Sequence, residues 1–355
     1  MPGYGARVII RAAAWALRHD RHYGGRMKAV LLTGPDVVEI ATVADPTPKE
    51  GDVVIRVAAS GICGTDLHIM SGELGHTFPF VPGHEISGAV AAVGHGVTSL
   101  RIGDRVAVDP GLPCHTCRAC RDGADNQCSR RNGIGETRDG GAAEFVLVPE
   151  DNAIRLPESL ATLDASLVEP LACAVHGLDS LGSVTGNHAL VYGAGPMGLI
   201  LTQLLVASGA ASVTVLDRVL DRAQAAVRFG ATATATSRLE LDQAEGWDVV
   251  VEATGSAVAV ADSLASVRRR GRLLQFGMAS PHAEVAFSPY DVFDREIRII
   301  GSKSYLHSFE RGIDLLAAGV LDVDGLVTHR LPLADYRTAL DVLRAGSGRK
   351  IQVLP

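Results

Sequence analysis

Four cysteines lie within a fifteen-residue segment, in the pattern Cys-x2-Cys-x2-Cys-x7-Cys. Four thiolates at such spacing match the tetrahedral coordination of a structural Zn²⁺ with no open position. A nucleic-acid-binding zinc ribbon is the alternative, but acidic residues dilute the nearby arginines and the chain as a whole is acidic. We therefore expect a closed zinc site, rather than free or disulfide-paired thiols, formed by Cys114, Cys117, Cys120 and Cys128.

A second pattern, GAGPMG, has the spacing GxGxxG and lies between an apolar strand and an apolar helix. Gly193 allows a tight turn, Gly195 leaves room for a pyrophosphate, and Gly198 allows close packing of helix and strand. The helix begins with Pro196 and Met197, and its free N–H groups and positive dipole end suit phosphate groups. The pattern predicts a dinucleotide-binding turn.

An acidic residue follows the next predicted strand at the distance that such a turn requires. Asp217 comes 19 residues after Gly198, where a carboxylate can accept hydrogen bonds from both ribose hydroxyls. The same carboxylate repels a 2′-phosphate, which favours NAD over NADP. Arg218 is a residue type that accommodates that phosphate, so NADP stays open.

Further candidate metal ligands lie in three short segments, GICGTDLH, GHE and VEP. They supply a soft thiolate, an imidazole and carboxylates: Cys63, His84, Glu85 and Glu169. A catalytic zinc takes about three protein ligands and keeps one exchangeable position. Each residue alone is more often structural, but their occurrence beside a dinucleotide-binding turn and a four-cysteine lobe favours an open zinc site.

The composition limits the classes of partner. The chain has 355 residues, 47% hydrophobic and 21% charged, and a formal net charge of −7. This length favours two domains, and the composition excludes a disordered chain. An acidic body does not attract nucleic acid, and no apolar run approaches the ~18 residues of a membrane span. Clustered cysteines that bind metal indicate a reducing, cytoplasmic compartment.

The first 26 residues differ from the rest, with five arginines against one acid, Asp20. An arginine-rich, acid-poor start is typical of a mitochondrial transit peptide. We favour the alternative of a dispensable, poorly ordered extension, with the fold beginning at Met27.

The pattern of elements changes near residue 170. Before it, short β runs are broken by Gly and Pro, which predicts a β-rich domain with long loops. After it, strands and helices alternate, which predicts βαβ units and a parallel sheet, so the fold class is α/β. The expected Rossmann-type strands include Ala189–Tyr192, Ser212–Leu216, Asp248–Glu252 and Arg272–Phe276.

In sequence order, the motifs CGTDLH, PGHE, the four-cysteine lobe, EPL, GAGPMG and LVTHR resemble those of zinc-dependent medium-chain alcohol dehydrogenases, in the polyol (sorbitol-type) and threonine dehydrogenase branches. The resemblance implies a GroES-like β-rich catalytic domain over residues 27–170 and 304–355. It also implies a Rossmann domain with a doubly wound parallel sheet over residues 171–303. Dimers or tetramers are common in this family, so a homo-oligomer is expected.

By the same resemblance, Cys63 and His84 are ligands of a catalytic zinc. Either Glu85 or Glu169 completes the set, and the choice between them stays open. Thr65 and His68 resemble a relay that passes the hydroxyl proton to solvent. The chain would hold two zinc ions, one catalytic and one structural.

Three further residues are assigned roles from the sequence. Arg222 is expected at the adenosine side of the cofactor, and Lys350 is a candidate for contact with the pyrophosphate. Cys173 is interpreted as a core residue of a helix.

The expected substrate is a secondary alcohol in a polyol, cyclitol or sugar derivative. Tyr305 matches the sorbitol-type pattern, but Ser304 stands where that pattern has arginine, so L-threonine and butanediol remain alternatives. A zinc-free quinone reductase is disfavoured by the candidate ligands. A non-catalytic nucleotide-binding protein is the alternative from another class.

Overall fold

The computed structural model describes residues 25–73, 77–241 and 245–355. Within these ranges the strands are β1 Arg26–Gly34, β2 Val37–Ala44, β3 Asp52–Ile62, β4 Glu85–Val93, β5 Arg105–Val108, β6 Gly111–Leu112, β7 Asn132–Gly133, β8 Phe145–Pro149, β9 Ala153–Arg155, β10 His188–Tyr192, β11 Ser212–Leu216, β12 Ala233–Ala235, β13 Trp247–Glu252, β14 Val267–Gln275, β15 Arg298–Gly301, β16 Val327–Pro332 and β17 Lys350–Leu354. The helices are α1 Gly64–Met70, α2 Arg118–Arg121, α3 Val168–Leu181, α4 Pro196–Ala207, α5 Leu220–Ala225, α6 Ala257–Ser266, α7 Pro289–Asp294, α8 Phe309–Ala317, α9 Val323–Leu326 and α10 Tyr336–Ala345.

Six strands form one parallel sheet in the order β12-β11-β10-β13-β14-β15. Numbered along this part of the chain, the order is 3-2-1-4-5-6, that of a doubly wound nucleotide-binding sheet. The order reverses between β10 and β13, so the turn that follows β10 opens at the crevice where such sheets bind ligands. The predicted α/β fold with a Rossmann sheet is confirmed.

The second large sheet has the order β16-β17-β3-β4-β5-β9, and β8 also pairs with β3. Its pairs are antiparallel except β16 with β17. The C-terminal strand β17 therefore joins the β-rich half of the chain, as the resemblance implies. Buried alternating residues such as Val53, Ile55 and Val57 fill one face of β3.

Helix α3 joins the two halves of the molecule. Leu167, Leu171 and Val175 are buried in the largest hydrophobic core, together with residues of α4 and α8. Because α3 begins at Val168, it continues across the predicted domain boundary at residue 170. The helix packs against α4 of the nucleotide-binding half and against α8, and it also contacts β4 of the β-rich half.

The segment interpreted as an N-terminal extension, residues 1–26, lies mostly outside the described residues, which begin at Gly25. Arg26, assigned to the extension, is the first residue of β1 and lies opposite Ala44 of β2. Within the described ranges, no helix has both the length and the apolar character needed to cross a membrane.

Candidate active site

Three candidate ligands converge at the ends of β3 and β4. Cys63 follows β3 directly and is the N-cap of α1, while His84 and Glu85 lie at the start of β4. Their ligand atoms all lie within 4.8 Å of one another. His84 and Glu85 are buried, and Cys63 is partly exposed, so the cluster has one accessible side.

Asp66, which the sequence analysis did not single out, links two of these ligands. Its Oδ2 accepts the backbone N–H of Cys63 at 2.8 Å, and its Oδ1 lies 3.6 Å from Nδ1 of His84. Burial lowers the pKa of His84, but Asp66, with Cys63, outweighs this effect and raises it. The available signal was an acid three residues after Cys63, the position that caps a helix N-terminus.

Glu169 lies in the first turn of α3, close to but outside the three-donor cluster. Its Oε1 accepts a hydrogen bond from the thiol of Cys173 at 3.2 Å. Burial raises the pKa of Glu169 to about 7, with His84 opposing and Glu85 reinforcing the shift. Cys173 packs against the core as expected, but its thiol also contacts this carboxyl group.

Lys350 does not lie where the sequence analysis placed it. Its buried ammonium pairs with Oε1 of Glu85 and donates to the carbonyl of Ile62 at 3.2 Å. The expectation that Lys350 reaches the pyrophosphate is therefore wrong. The physical reason is that β17 pairs with β3, which brings the first residue of β17 behind the metal-ligand cluster.

The two relay candidates lie on α1. Cys63 Sγ lies 3.6 Å from Oγ1 of Thr65. Nδ1 of His68 lies 2.5 Å from Oε2 of Glu73, and both of these side chains are partly exposed. Thr65 thus lies beside the cluster, and His68 lies three residues farther along the helix with a partly exposed ring.

The four lobe cysteines form a second cluster, with their sulfur atoms within 4.8 Å of one another. Backbone N–H groups point at them: Cys117 donates to Sγ of Cys114 at 3.3 Å, and Cys114 donates to Sγ of Cys128 at 3.3 Å. Hydrogen bonds, first of all from Thr116, lower the pKa of Cys114 to about 5. All six cysteines are free thiols, so the disulfide alternative is not realised.

The glycine-rich turn has the backbone that the sequence analysis expects. Gly193 has φ of +98°, in the region that favours glycine. A Cβ on Gly198 would lie 1.8 Å from the carbonyl oxygen of Gly193, so this close approach requires glycine. A Cβ on Gly195 would meet nothing within 4 Å, and the space beside the turn is therefore open.

Asp217 lies beside this turn, whereas Arg222 contacts a loop of the other half of the chain. Oδ2 of Asp217 accepts the N–H of Ala194 at 2.8 Å, and Oδ1 accepts the N–H of Val219 at 2.9 Å. The carboxylate is thus fixed beside the turn, with lone pairs left for another donor. Arg222 donates to the carbonyl of Gly346 at 2.7 Å, so its guanidinium joins the nucleotide-binding half to the loop after α10.

Two family models match the chain: the alcohol dehydrogenase GroES-like domain over residues 49–158 and the zinc-binding dehydrogenase domain over residues 196–318. D-arabinitol dehydrogenase 1 of Uromyces fabae is 36% identical over 93% of this chain and 97% of its own length. D-altritol 5-dehydrogenase of Agrobacterium fabrum is 40% identical over 85% of this chain and 91% of its own. The chain belongs to the zinc-binding alcohol dehydrogenase family. It is an oxidoreductase that acts on CH–OH donors.

A solved structure has the same fold over nearly the whole of this zinc-binding dehydrogenase. It is a protein of Sinorhizobium meliloti 1021, described as a zinc-binding dehydrogenase and bound to NADP. The TM-score is 0.89 at 33% identity, over 93% of this chain and 100% of the other.

Both clusters of the dehydrogenase fit zinc by their donor chemistry. Thiolate, imidazole and carboxylate suit an open zinc site, and four thiolates suit a closed one. Oε2 of Glu85 is buried and has no hydrogen-bond partner among the described residues, which is costly unless it meets a cation. A Cβ on Gly61 would lie 1.8 Å from this oxygen, so the missing side chain leaves room for the carboxylate.

A cavity of about 550 Å³ lies against the cysteine lobe. Within its lining, Tyr305 donates to Oδ1 of Asp109 at 2.5 Å. The guanidinium of Arg131 lies 3.4 Å from Oγ of Ser304. The serine at 304 is visible in the sequence pattern. The contacts of Arg131 and Asp109 with this segment are not, because no local pattern shows that these residues face it.

Proposed function

We propose that this enzyme oxidises a secondary alcohol of a polyol, cyclitol or sugar derivative, with zinc at Cys63, His84 and Glu85 and with NAD as hydride acceptor. The three-donor cluster is the observation that carries the proposal, because its partly exposed side can admit a substrate hydroxyl. Both curated relatives described above carry the names of polyol dehydrogenases, which supports this substrate class.

In this proposal, zinc supplies Lewis-acid chemistry that lowers the pKa of the substrate hydroxyl. Cys63, His84 and Glu85 are the protein donors, and Asp66 orients His84 from behind. Glu169 stands close to the cluster as a buried carboxyl group, which can hold a proton or accept a hydrogen bond from the substrate. A second, structural zinc belongs to Cys114, Cys117, Cys120 and Cys128.

The hydroxyl proton needs a route out of the site. Thr65 lies at the inner end of α1 beside Cys63, and His68 lies farther along the same helix with Glu73 against its ring. We assign Thr65 as the hydroxyl that receives the proton and His68 as the base that passes it to solvent.

The cofactor would lie at the crevice beside β10. Backbone N–H groups of Gly195, Met197 and Gly198 would surround the pyrophosphate. Pro196 has no N–H and would support the turn. Asp217 would accept hydrogen bonds from the ribose, which favours NAD. Arg222, tied to Gly346, would stand at the adenosine side. NADP is the alternative cofactor to be tested, because the similar structure from Sinorhizobium meliloti is bound to NADP.

We also propose a homo-oligomer built through the edge of the parallel sheet. Strand β15 is the last strand of that sheet, and its Ile299 is 48% exposed. Tyr290 and Phe293, on the adjacent α7, are 68% and 79% exposed. An open strand edge flanked by exposed aromatic side chains suits pairing with a second copy. Sedimentation of the wild type as a monomer would contradict this.

We propose a catalytic domain of residues 27–170 and 304–355 and a nucleotide-binding domain of residues 171–303. The proposed N-terminal extension ends before Arg26, which belongs to β1. Free thiols at all six cysteines support a reducing compartment, and we place the enzyme in the cytoplasm. L-Threonine and butanediol are alternative substrates, and a non-catalytic nucleotide-binding role is the alternative from another class.

The test is an initial-rate assay with NAD⁺ and NADP⁺ against polyols, cyclitols, amino sugars, threonine, butanediol and simple alcohols, with zinc quantified on the same sample. NADH formation with a polyhydroxylated secondary alcohol supports the proposal. Activity confined to threonine or butanediol would contradict the proposed polyol class and favour that alternative substrate. No activity with any alcohol despite two bound zinc ions would contradict it.

A further inference from the structure

A buried ion pair lies directly behind the metal-ligand cluster. Lys350 is 3% exposed and Glu85 is 0% exposed, and the ammonium pairs with Oε1 of that carboxylate. The ammonium also donates to the carbonyl of Ile62 at 3.2 Å. A buried lysine and a buried glutamate are costly to desolvate, and such groups are retained where a partner compensates them.

The register of three strands explains how these side chains meet. On β3, Gly61 lies opposite Glu85 of β4 on one side and opposite Gln352 of β17 on the other. Gly61 has no side chain, so the carboxylate can occupy the space over β3. Lys350, at the start of β17, reaches across the end of β3 to meet it.

The two oxygens of Glu85 therefore have different surroundings. Oε1 is occupied by the ammonium of Lys350. Oε2 is buried without a hydrogen-bond partner among the described residues. A carboxylate oxygen of Glu85 is also one of the three donor atoms that lie within 4.8 Å of one another. A cation on the Cys63 and His84 side would satisfy the oxygen that Lys350 leaves free.

We infer that Lys350 is a positioning residue that holds Glu85 through Oε1 and thereby presents Oε2 as the third zinc ligand. The inference rests on the proposed zinc site and assigns the direct ligand to Glu85 rather than Glu169. Glycine is required at position 61 in this arrangement, because a larger residue there would collide with Oε2 of Glu85. Lys350 acts on the metal only through Glu85.

The test compares the zinc affinity of four proteins: wild type, Lys350→Met, Glu85→Gln and the double variant. Zinc is removed by a competing chelator, and the four-cysteine site serves as the internal reference for intact folding. Loss of a residue that contacts a metal ligand typically weakens metal binding about 10–100-fold. We expect Lys350→Met to lower the zinc affinity of the three-donor cluster by a factor in this range. Lys28→Met, at an exposed lysine that contacts Thr42, is the matched control and leaves both affinities unchanged.

The decisive comparison is the double variant against Glu85→Gln. If Lys350 acts through Glu85, removing Lys350 has no further effect once the carboxylate is gone. An equal loss of affinity in both backgrounds, or unchanged affinity in Lys350→Met, overturns the inference. This comparison does not require a folded Lys350→Met protein, because it uses only Glu85→Gln and the double variant, which leaves no unpaired charge in the core.

A spectroscopic readout separates a positioning role from a general loss of stability. Cobalt(II) is substituted at the cluster, and its absorption bands report the ligand set directly. We expect Lys350→Met to shift these bands towards those of Glu85→Gln, and unchanged bands contradict the inference. None of these measurements uses an alcohol or NAD. If the coupling is found but no alcohol is oxidised, the inference stands and the proposed function fails.

Discussion

Oδ1 of Asp66 lies 3.6 Å from Nδ1 of His84, and both side chains are buried. The same carboxylate accepts the backbone N–H of Cys63 through its other oxygen. A single acid thus contacts two candidate metal ligands, Cys63 just after β3 and His84 just before β4. Carboxylates in this position set the orientation of a ligating imidazole and raise its basicity.

Asp66→Asn should therefore weaken zinc binding at the cluster. We expect about a 10-fold or greater loss of affinity, because the neutral amide no longer favours electron donation by His84. Chelator competition measures the loss, with the four-cysteine site as reference. Asp341→Asn, at an exposed acid beside Arg344 on α10, is the matched control. Equal zinc affinity in Asp66→Asn and wild type would show that Asp66 serves only the helix cap.

His68→Ala should lower kcat while zinc content stays constant. General acid–base groups contribute about 10²–10⁴-fold, and we expect a loss near the lower end because solvent reaches this partly exposed site. Added imidazole should restore part of the rate. Glu73→Gln, which keeps a hydrogen-bond acceptor beside the ring, should cost much less. A wild-type rate in His68→Ala would remove His68 from the proton path.

Asp217→Asn should change the choice of cofactor. Loss of the negative charge removes the repulsion of a 2′-phosphate, so the ratio of kcat/KM for NADP⁺ to that for NAD⁺ should rise. We expect a rise of about 10-fold, equivalent to roughly 1.4 kcal/mol. Arg218→Ala, at the exposed neighbour, should not raise the ratio. If wild type already prefers NADP⁺, the interpretation of Asp217 is wrong.

The half-buried Asp109 gives a pH dependence of stability that is separate from the metal chemistry. Burial raises the pKa of Asp109, against the hydrogen bonds from Tyr305 and Gly111 and the charge of Arg131. Between the ordinary value of 3.8 and the raised value, the folded state binds more protons than the unfolded state. This contribution therefore reduces stability as pH rises through that window.

Asp109→Asn removes this contribution and keeps an oxygen that accepts from Tyr305. Relative to wild type, the variant should become more stable as pH rises from about 4 towards neutral. Thermal unfolding of both proteins across this range measures the difference, and effects of pH on the metal sites cancel in it. A difference that is independent of pH, or that changes in the opposite direction, would contradict the assignment.

Features with a local pattern were predictable. The four-cysteine lobe needs only its own spacing, and the glycine turn needs only the strand and helix on either side. Gly193 and Gly198 show why: a positive φ and a close backbone approach leave glycine as the residue that fits. The alternation of strands and helices likewise predicts a parallel sheet, because crossovers of that length connect parallel strands.

Features that depend on long-range pairing were not predictable from the sequence. Lys350 meets Glu85 across 265 positions of sequence, and Arg131 meets Ser304 across 173. No local pattern distinguishes a lysine behind a metal ligand from one that faces a phosphate. Asp66 was within reach of local reasoning as a helix cap, but its second oxygen meets His84 only because β3 and β4 pair.

The most direct test of the proposed function is NADH formation from a polyol by wild type and by Cys63→Ser, with zinc measured on both proteins. We expect two zinc ions and NADH formation in wild type, and one zinc ion and no NADH formation in Cys63→Ser. Wild-type rates in Cys63→Ser, or a wild type with a single zinc ion, would contradict it.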